Sequence, residues 1–422
     1  MKFSCGALLL LVIAASVVGE KVRFDNYRVY EVFVANDVQL EALKFLEMGS
    51  DSYIFWESPV QTNMKLRIVV PPHKFADFEE ITLRMELKSP VVIDNLQEVI
   101  DKERPKHRRS EVFDWEDYYS LDEMYKWFDE LMEDHSDYLR IEPYGTSFEG
   151  IEMKAIILSK KSGNPGIFLE SNIHAREWIT SATATWILNQ LLTSVDPDIQ
   201  DLANNVDWYI LPVVNPDGHR YSREVNRMWR KNRVDSYNLL CYGVDLNRNF
   251  PEHWMQGGAS SVPCSDTYAG PEGASEVETK NIIELFGKYR ENIDLYLSFH
   301  SYGQYMLFPY GYENAEKAEN YYDWMEIAEA AAVSLSKRYG TSYQLGTTAD
   351  VLYIASGLSI DWAHTAHGVP IAVTYEFRDQ GTNGFILPAE QIVPNAEEVL
   401  DSLVTFVAKA RDLGYFKEKT QS

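Results

Sequence analysis

Hydrophobic and polar positions over the first hundred residues follow a pattern that predicts a small α/β domain. Residues 27–34 alternate as a half-buried strand does, and Asp37 can cap a following helix whose apolar face carries Leu40, Leu43 and Leu46. The predicted strands are 27–34, 52–56, 64–70 and 91–93, and the predicted helices are 37–48 and 75–85. This βαββαβ order is the ferredoxin-like arrangement. We find no cluster of residues in it that could carry out chemistry.

The stretch 101–110 breaks that pattern. It is charged, mostly basic and contains Pro105, and it has no apolar side to bury, so we expect an exposed linker. Arg108 and Arg109 are candidate cleavage sites for a trypsin-like protease, whereas Pro105 after Arg104 protects that bond. A domain without chemistry before a cleavable linker indicates a zymogen, and a plain solvated linker is the alternative.

Residues 110–422 alternate between helical and strand patterns. The strands are largely apolar, which is typical of an α/β sheet covered by helices on both faces. The predicted helices are 121–135, 179–192, 320–339 and 396–413; the predicted strands are two within 138–158, then 166–172, 206–214, 295–299 and 369–375.

The N-terminus and the cysteines indicate secretion. Residues 1–19 combine Lys2, an apolar run over 7–18 and small residues, which is the pattern of a signal peptide, with an N-terminal anchor as the alternative. Removal of this segment takes Cys5 with it and leaves Cys241 and Cys264, which we expect to form a disulfide.

Composition narrows the possible partners. The chain has 422 residues with 39 Lys and Arg against 64 Asp and Glu, a formal net charge of −25. Such a surface repels phosphate backbones and anionic lipids, so we expect neither nucleic-acid nor membrane binding. The first 109 residues hold 15 basic and 16 acidic residues, so nearly all the negative charge lies in 110–422. A 45% apolar share excludes a disordered acidic chain.

Three residues form a candidate metal site. His174 and Glu177 follow the predicted strand 166–172 at a spacing that lets both reach one ion, and His300 ends the strand 295–299. Two His and one Glu leave the fourth zinc position open, as catalytic sites do. His and Glu at this spacing are, however, common as a surface pair. The other histidines are interpreted as surface residues, with burial and hydrogen bonding of one or two of them as the alternative: 73, 107, 135, 219, 253, 364 and 367.

Longer motifs around these residues resemble the secreted zinc metallocarboxypeptidase precursors of the pancreatic type, A subtype, and most closely those of insect gut. The matching segments are 172–180, 215–218, 226–233, 243–250, 298–302, 355–362 and 374–379. The resemblance implies a signal peptide over 1–19, an activation propeptide domain over 20–93, a connecting segment over 94–109 and a catalytic domain with a mixed central sheet over 110–422.

The resemblance also implies roles for individual residues. His174, Glu177 and His300 would bind one Zn²⁺, Glu376 would be the general base, and Arg230 would stabilise the oxyanion. The remaining implied roles are Asn247 and Arg248 as the clamp for the substrate carboxylate, Tyr353 as the tyrosine that closes over the substrate, Arg176, Ser301 and Tyr302 as outer subsites, and Asp245 as the carboxylate that orients His174.

Specificity depends on the pocket for the last side chain. Ile360 stands where enzymes that remove Lys or Arg have an acid, so burying a cation there would be costly and we expect release of aliphatic or aromatic residues. Leu358 departs from the glycine usual in the A subtype, and its bulk could shorten the pocket and disfavour Trp.

Two other functions were weighed. A regulatory or prohormone-type carboxypeptidase would lack the βαββαβ propeptide and carry an appended β domain, whereas an inactive binding homologue would lack some of the site residues. We therefore expect a monomeric digestive exopeptidase in the gut lumen. It would act on peptide and protein C-termini, be inhibited by its own propeptide and be activated by a trypsin-like protease.

Overall fold

The computed structural model describes residues 21–49, 53–105, 112–235 and 241–419. The predicted signal peptide and the candidate cleavage sites Arg108 and Arg109 lie outside these ranges, so their assignments stay predictions.

The N-terminal unit has the predicted ferredoxin-like topology. Its elements are β1 (Arg28–Val34), α1 (Asp37–Gly49), β2 (Ile54–Phe55), β3 (Met64–Val70), α2 (Phe75–Arg84), β4 (Val91–Ile93) and α3 (Leu96–Glu103). The sheet order is β2-β3-β1-β4, and β1 pairs antiparallel with β3 from Arg28 opposite Val70 to Val34 opposite Met64. Alternate residues of the central strands, such as Val32 and Leu66, pack against Phe78 of α2.

The expectation of an exposed linker from residue 101 is wrong for its first residues. Helix α3 continues to Glu103, which is only 1% exposed. Residues 101–110 have no apolar side, but the helix begins earlier, and its residues Leu96, Val99 and Ile100 pack in a cluster with Phe24 and Ile93. The apolar face that holds α3 thus lies before the charged stretch.

The larger unit is built on a mixed eight-stranded sheet of order β11-β10-β12-β9-β7-β8-β6-β5. The central strands β12, β9, β7 and β8 run parallel, whereas β6 pairs antiparallel with β5 and β8. The strands are β5 (Leu139–Thr146), β6 (Glu152–Leu158), β7 (Gly166–Ser171), β8 (Asp207–Leu211), β9 (Ile293–His300), β10 (Tyr305–Phe308), β11 (Gln344–Thr347) and β12 (Ile371–Glu376).

Helices cover both faces of this sheet, as predicted. The helices are α4 (Leu121–His135), α5 (Trp178–Thr193), α6 (Pro197–Asn205), α7 (Pro216–Glu224), α8 (Val277–Tyr289), α9 (Tyr321–Tyr339), α10 (Thr348–Val351), α11 (Ser359–His367) and α12 (Ile392–Asp412). Residues of α4, α5, α9 and α12 form one apolar layer with the sheet, and residues of α8 and α11 form the other.

Two further predictions concern covalent and membrane topology. Cys241 and Cys264 are joined by a disulfide, as predicted. Among the described residues, no helix has the length and apolar content needed to cross a bilayer.

Candidate active site

A short loop at the carboxyl end of β7 presents His174 and Glu177. Asn172 follows the strand with φ 54°, a left-handed conformation that Asn tolerates better than most residues, and its side-chain amide donates to the carbonyls of His174 (3.3 Å) and Glu177 (3.1 Å). The amide oxygen of Asn172 lies 2.8 Å from Nδ1 of His219. His219 is 1% exposed and supports this loop, so it has the buried, hydrogen-bonded position that was the alternative to a surface position.

His300 lies beside that loop because β9 pairs in parallel with β7. Ser171 is opposite Phe299, so the residues that follow the two strands meet at one edge of the sheet. Nδ1 of His174 lies 2.9 Å from Oε1 of Glu177 and 3.1 Å from Nδ1 of His300, and Nδ1 of His300 lies 3.2 Å from Oε2 of Glu177. All three residues are buried, and this is the group of His and acidic residues within the described chain whose ligand atoms could hold a metal ion.

Nε2 of His174 and Nε2 of His300, the ring nitrogens that point away from the group, each lie near a hydrogen-bond acceptor. Nε2 of His174 lies 3.2 Å from Oδ1 of Asp245, and Nε2 of His300 lies 2.9 Å from the hydroxyl oxygen of Ser298. If each Nε2 carries the proton, both Nδ1 atoms present lone pairs to a common point. Two imidazole nitrogens and a carboxylate suit Zn²⁺, so these residues fit the ion that the sequence predicts.

Charges around the site are balanced in pairs. Burial favours the neutral form of Glu177, but His174 and His300 outweigh it and lower the pKa of that carboxyl. Burial also opposes ionisation of Asp245, yet Arg230 and His174 hold the pKa of Asp245 well below its usual range.

Arg230 is anchored by the same carboxylate. It donates to Oδ2 of Asp245 from Nη2 (2.8 Å) and Nε (3.2 Å). Burial lowers the pKa of Arg230, but the charge of Asp245 more than compensates and raises it. Because Arg230 also lines the cavity that contains His174 and Glu177, it presents a fixed positive charge to that space.

Glu376 ends β12 directly opposite His300 in the parallel β12–β9 pair and lines the same cavity. Burial raises the pKa of Glu376 to about 8, and the charge of Glu177 adds to this effect while His300 and Arg230 oppose it. A bound dication would lower that pKa.

Asn247 and Arg248 follow Asp245 on a short turn. The amide oxygen of Asn247 accepts from the backbone N–H of Ser359 (3.0 Å), and Arg248 donates from Nε to the carbonyl of Gly258 (3.0 Å) and from Nη1 to the carbonyl of Asn247 (2.8 Å). The Arg248 guanidinium lies 6.0 Å from the ring centroid of Tyr353. Tyr353 lines the cavity that also contains His174 and Glu177.

Ile360 and Leu358 do not line the cavity that contains His174 and Glu177. Both are buried in the apolar layer beneath it, 1% and 4% exposed, together with Ala355. A Cβ added to Gly311 would lie 2.6 Å from Cδ1 of Leu358, so the leucine occupies the space beside a residue without a side chain.

The cavity that His174 and Glu177 line has a volume of about 400 Å³ and is covered by the N-terminal unit. Arg176 donates to the carbonyl of Trp56 (2.8 Å), and the hydroxyl of Tyr302 donates to Glu57 (2.5 Å) and accepts from Arg67 (2.9 Å). The backbone N–H of Ser301 donates to Glu177 (3.2 Å) and so belongs to the metal-site side of the cavity.

Sequence reasoning missed several residues that hold this arrangement. Glu57, Arg67 and Glu103 of the N-terminal unit contact the larger unit, and no local motif distinguishes them from other surface charges. Glu170 could have been noticed, because it is a charged residue within the otherwise largely apolar strand β7.

Comparisons with known proteins agree with this geometry. Residues 30–103 match the family model of the carboxypeptidase activation peptide, and residues 124–402 match that of zinc carboxypeptidases. The chain is 45% identical to Zinc carboxypeptidase A 1 of Anopheles gambiae over 419 residues, 98% of this chain and 96% of the relative.

Two further similarities bear on subtype and fold. Carboxypeptidase B of Astacus astacus is 40% identical over 292 residues, 69% of this chain and 96% of that protein. The crystal structure of carboxypeptidase A from Helicoverpa armigera superimposes with a TM-score of 0.83 at 27% identity, covering 94% of this chain and all (100%) of that one.

The matched activation peptide disfavours the regulatory or prohormone-type alternative, for which this propeptide was not expected. The family models together cover most of the described residues, and the His174, Glu177 and His300 group falls within the second match. The chain belongs to the zinc carboxypeptidase family and is a peptide hydrolase made as a zymogen with an activation peptide.

Proposed function

We propose that the chain, once freed of its propeptide, is a secreted digestive exopeptidase that removes aliphatic or aromatic C-terminal residues. The observation that carries this proposal is the grouping of His174, Glu177 and His300 beside one cavity, whose lining includes the first two of these residues together with Glu376 and Arg230. Such a cavity combines a place for a Lewis acid, a base and a fixed cation.

Asn247 and Arg248, the proposed carboxylate clamp, would recognise the substrate. The Arg248 fork, held by the carbonyls of Gly258 and Asn247, would bind the free C-terminal carboxylate, and Asn247 would donate a further hydrogen bond. Tyr353 would close over the bound residue, while Arg176, Ser301 and Tyr302 would contact the residues upstream. Arg176 already donates to a peptide carbonyl of the propeptide, which supports such a role.

Hydrolysis needs a base and a stabilised oxyanion. A single Zn²⁺ held by His174, Glu177 and His300 would polarise the scissile carbonyl and lower the pKa of a water molecule toward about 7. Glu376 would take the proton of the attacking water and transfer it to the leaving amine. Arg230, fixed by Asp245, would place its charge where the oxyanion develops.

The last side chain would enter the apolar layer that contains Ile360. No counter-charge is supplied by that residue, so a Lys or Arg side chain would be desolvated without compensation. Because Leu358 fills the space beside Gly311, we expect a shorter pocket that accepts Leu and Phe better than Trp.

Activation would require a trypsin-like cut after Arg108 or Arg109, followed by departure of the unit that roofs the cavity. The contacts of Arg176 and Tyr302 with Trp56 and Glu57 support an inhibitory role for the propeptide. The mature enzyme would be a monomer in the gut lumen.

The test is zinc content and chelator-sensitive exopeptidase activity of the trypsin-treated protein. We expect one zinc per chain, release of C-terminal Phe from a peptide, and loss of both with a strong zinc chelator. H300A should lose the metal, and an R108A/R109A chain should resist trypsin activation. Mass spectrometry of the trypsin-treated wild type shows whether the cut follows Arg108 or Arg109. Release of C-terminal Phe by zinc-free protein would refute the proposal.

A further inference from the structure

Glu170 is a buried acid to which neither the family motifs nor the proposed mechanism gives a role. It lies on β7 directly opposite Ser298 of β9, and it is 0% exposed. An ionised carboxylate in such a position is costly unless hydrogen bonds compensate it. Two serine hydroxyls donate to Oε1 of Glu170.

The first serine leads to the metal site. Ser298 donates its hydroxyl proton to Glu170 (2.7 Å), and the same hydroxyl oxygen lies 2.9 Å from Nε2 of His300. Since the single proton of Ser298 is committed to the carboxylate, its oxygen can only accept from Nε2–H. The side-chain nitrogen of Asn247 also lies near Nε2 of His300, at 3.3 Å, which is farther than the Ser298 oxygen. The carboxylate thereby selects the imidazole tautomer whose Nδ1 lone pair faces Glu177 and His174.

The second serine leads to the substrate clamp. Ser359 donates its hydroxyl proton to the same oxygen of Glu170 (2.7 Å), and its backbone N–H donates to the amide oxygen of Asn247 (3.0 Å). Ser359 is the first residue of α11 and directly precedes Ile360. One carboxylate oxygen therefore holds both the orientation of the Asn247 amide and the start of the helix that carries the pocket.

We propose that Glu170 is a positioning residue that couples the metal ligand His300 to the carboxylate clamp at Asn247 through Ser298 and Ser359. The inference rests on the proposed roles of His300 and Asn247. Glu170 itself touches neither the reacting atoms nor the substrate. Its two arms predict separable effects, on metal affinity through Ser298 and on substrate affinity through Ser359.

The test compares E170Q, S298A and S359A in the trypsin-activated protein. Zinc affinity is measured by competition with a chelator, and kcat and KM are measured with a peptide ending in Phe. Partners of metal ligands contribute about 10- to 100-fold to affinity or activity, so we expect E170Q to weaken zinc binding about tenfold. S298A should do the same with KM unchanged, whereas S359A should raise KM about threefold with zinc affinity unchanged.

A double mutant shows whether Glu170 acts through Ser298. If it does, E170Q/S298A binds zinc no more weakly than S298A alone, because both substitutions act on the same hydrogen bond between Ser298 and Glu170. Additive losses in the double mutant would overturn the proposal. The same holds if E170Q lowers only the thermal midpoint, while zinc affinity and KM stay within twofold of the wild type.

Controls separate this inference from the proposed function. D294N alters a buried acid of the neighbouring strand β9, which accepts a hydrogen bond from Lys419, and should change stability without changing zinc affinity or KM. H300A tests the ligand assignment itself, because full zinc binding by H300A would refute the proposed metal site. Zinc binding and KM equal to those of the wild type in E170Q would refute only the role of Glu170. If E170Q does not fold, S298A and S359A decide each arm separately.

Discussion

Glu376 stands at a strand end where burial and the charge of Glu177 favour its neutral form. A dication bound by the three ligands reverses that balance, since it favours the ionised carboxylate that a base requires. The role of Glu376 is therefore tied to the metal.

We predict that E376Q lowers kcat about 10³-fold, because general-base catalysis contributes about 10²- to 10⁴-fold and the amide cannot accept a proton. Zinc content and thermal midpoint should stay as in the wild type. The measurement is kcat for release of C-terminal Phe alongside zinc analysis, and a loss of less than tenfold would remove Glu376 from the chemistry.

Asp361, next to Ile360 on α11, is a buried acid whose titration affects stability. Burial raises the pKa of Asp361 to about 7, against an opposing hydrogen bond from the backbone N–H of Gly311. A raised carboxyl pKa means that the folded state holds the proton more tightly than the unfolded state. The contribution of this group to stability is then complete below the unfolded pKa of about 4 and is lost as pH rises to about 7.

D361N removes this titration. We predict that the thermal midpoint of the wild type falls relative to that of D361N between pH 4 and pH 8, by an amount equivalent to at most about 4 kcal/mol. The difference between the two midpoints at each pH is the quantity to follow, since any constant cost of the amide cancels. A difference that is flat with pH would show that Asp361 is ionised throughout.

At the scale of residues, the sequence sufficed where a side chain belongs to a local motif. His174, Glu177 and Arg176 come from one loop, and the structure brings His300 and Glu376 to the same site because their strands are neighbours. Residues that act through distant contacts could not be found this way: Glu170 meets Ser359 across 189 positions, and Arg67 meets Tyr302 across 235.

At the scale of elements, the long helices α4, α5, α9 and α12 were predicted from their apolar residues, whereas α8, which buries Ile282, Leu285 and Phe286, was not. The bounds of α4 were predicted residue by residue, since Ser120 and Glu123 form a capping box before its apolar face. Helix α7 was missed because Tyr221 is its one large apolar side chain, so its sequence shows no helical period of apolar residues. The short strand β11 was missed for the same reason, with Leu345 as its one large apolar residue.

Helix α3 joins the propeptide to the enzyme through a buried ion pair. Glu103 accepts from Nε of Arg227 (2.7 Å) and from its Nη2, and both side chains are 2% exposed. Arg227 also lies over the ring of Trp178, 3.7 Å from its centroid. Removing one partner of such a pair leaves an uncompensated buried charge, which costs about 3–5 kcal/mol.

We predict that E103Q lowers the thermal midpoint of the zymogen by several degrees and speeds its activation by trypsin. The mature enzyme released from E103Q should be indistinguishable from the wild type, because Glu103 leaves with the propeptide. K102A, on the exposed side of the same helix, is the matched control. Equal midpoints for the E103Q and K102A zymogens would show that the pair contributes nothing to propeptide attachment.

At the scale of the whole molecule, the charge is distributed unevenly. The region 110–422 holds 24 basic and 48 acidic residues, so the enzyme freed of its propeptide is strongly acidic. Such a surface attracts cationic peptides over about one Debye length, even though the proposed pocket for the last side chain would exclude a cation.

We predict that kcat/KM for a peptide with upstream Lys residues and a C-terminal Phe falls severalfold between low salt and about 0.5 M salt, because screening removes the attraction. A peptide with neutral upstream residues serves as the control and should change little. Equal salt dependence of the two peptides would limit the role of the charge to solubility.

The central claim is that an apolar pocket at Ile360 makes this family member an A-type exopeptidase. The most direct measurement is kcat/KM of the trypsin-activated enzyme for matched peptides that end in Phe, Leu, Trp, Lys or Arg. The account predicts fastest turnover for Phe and Leu, slower turnover for Trp because of Leu358, and the slowest for Lys and Arg. Fastest turnover on Lys or Arg would contradict it.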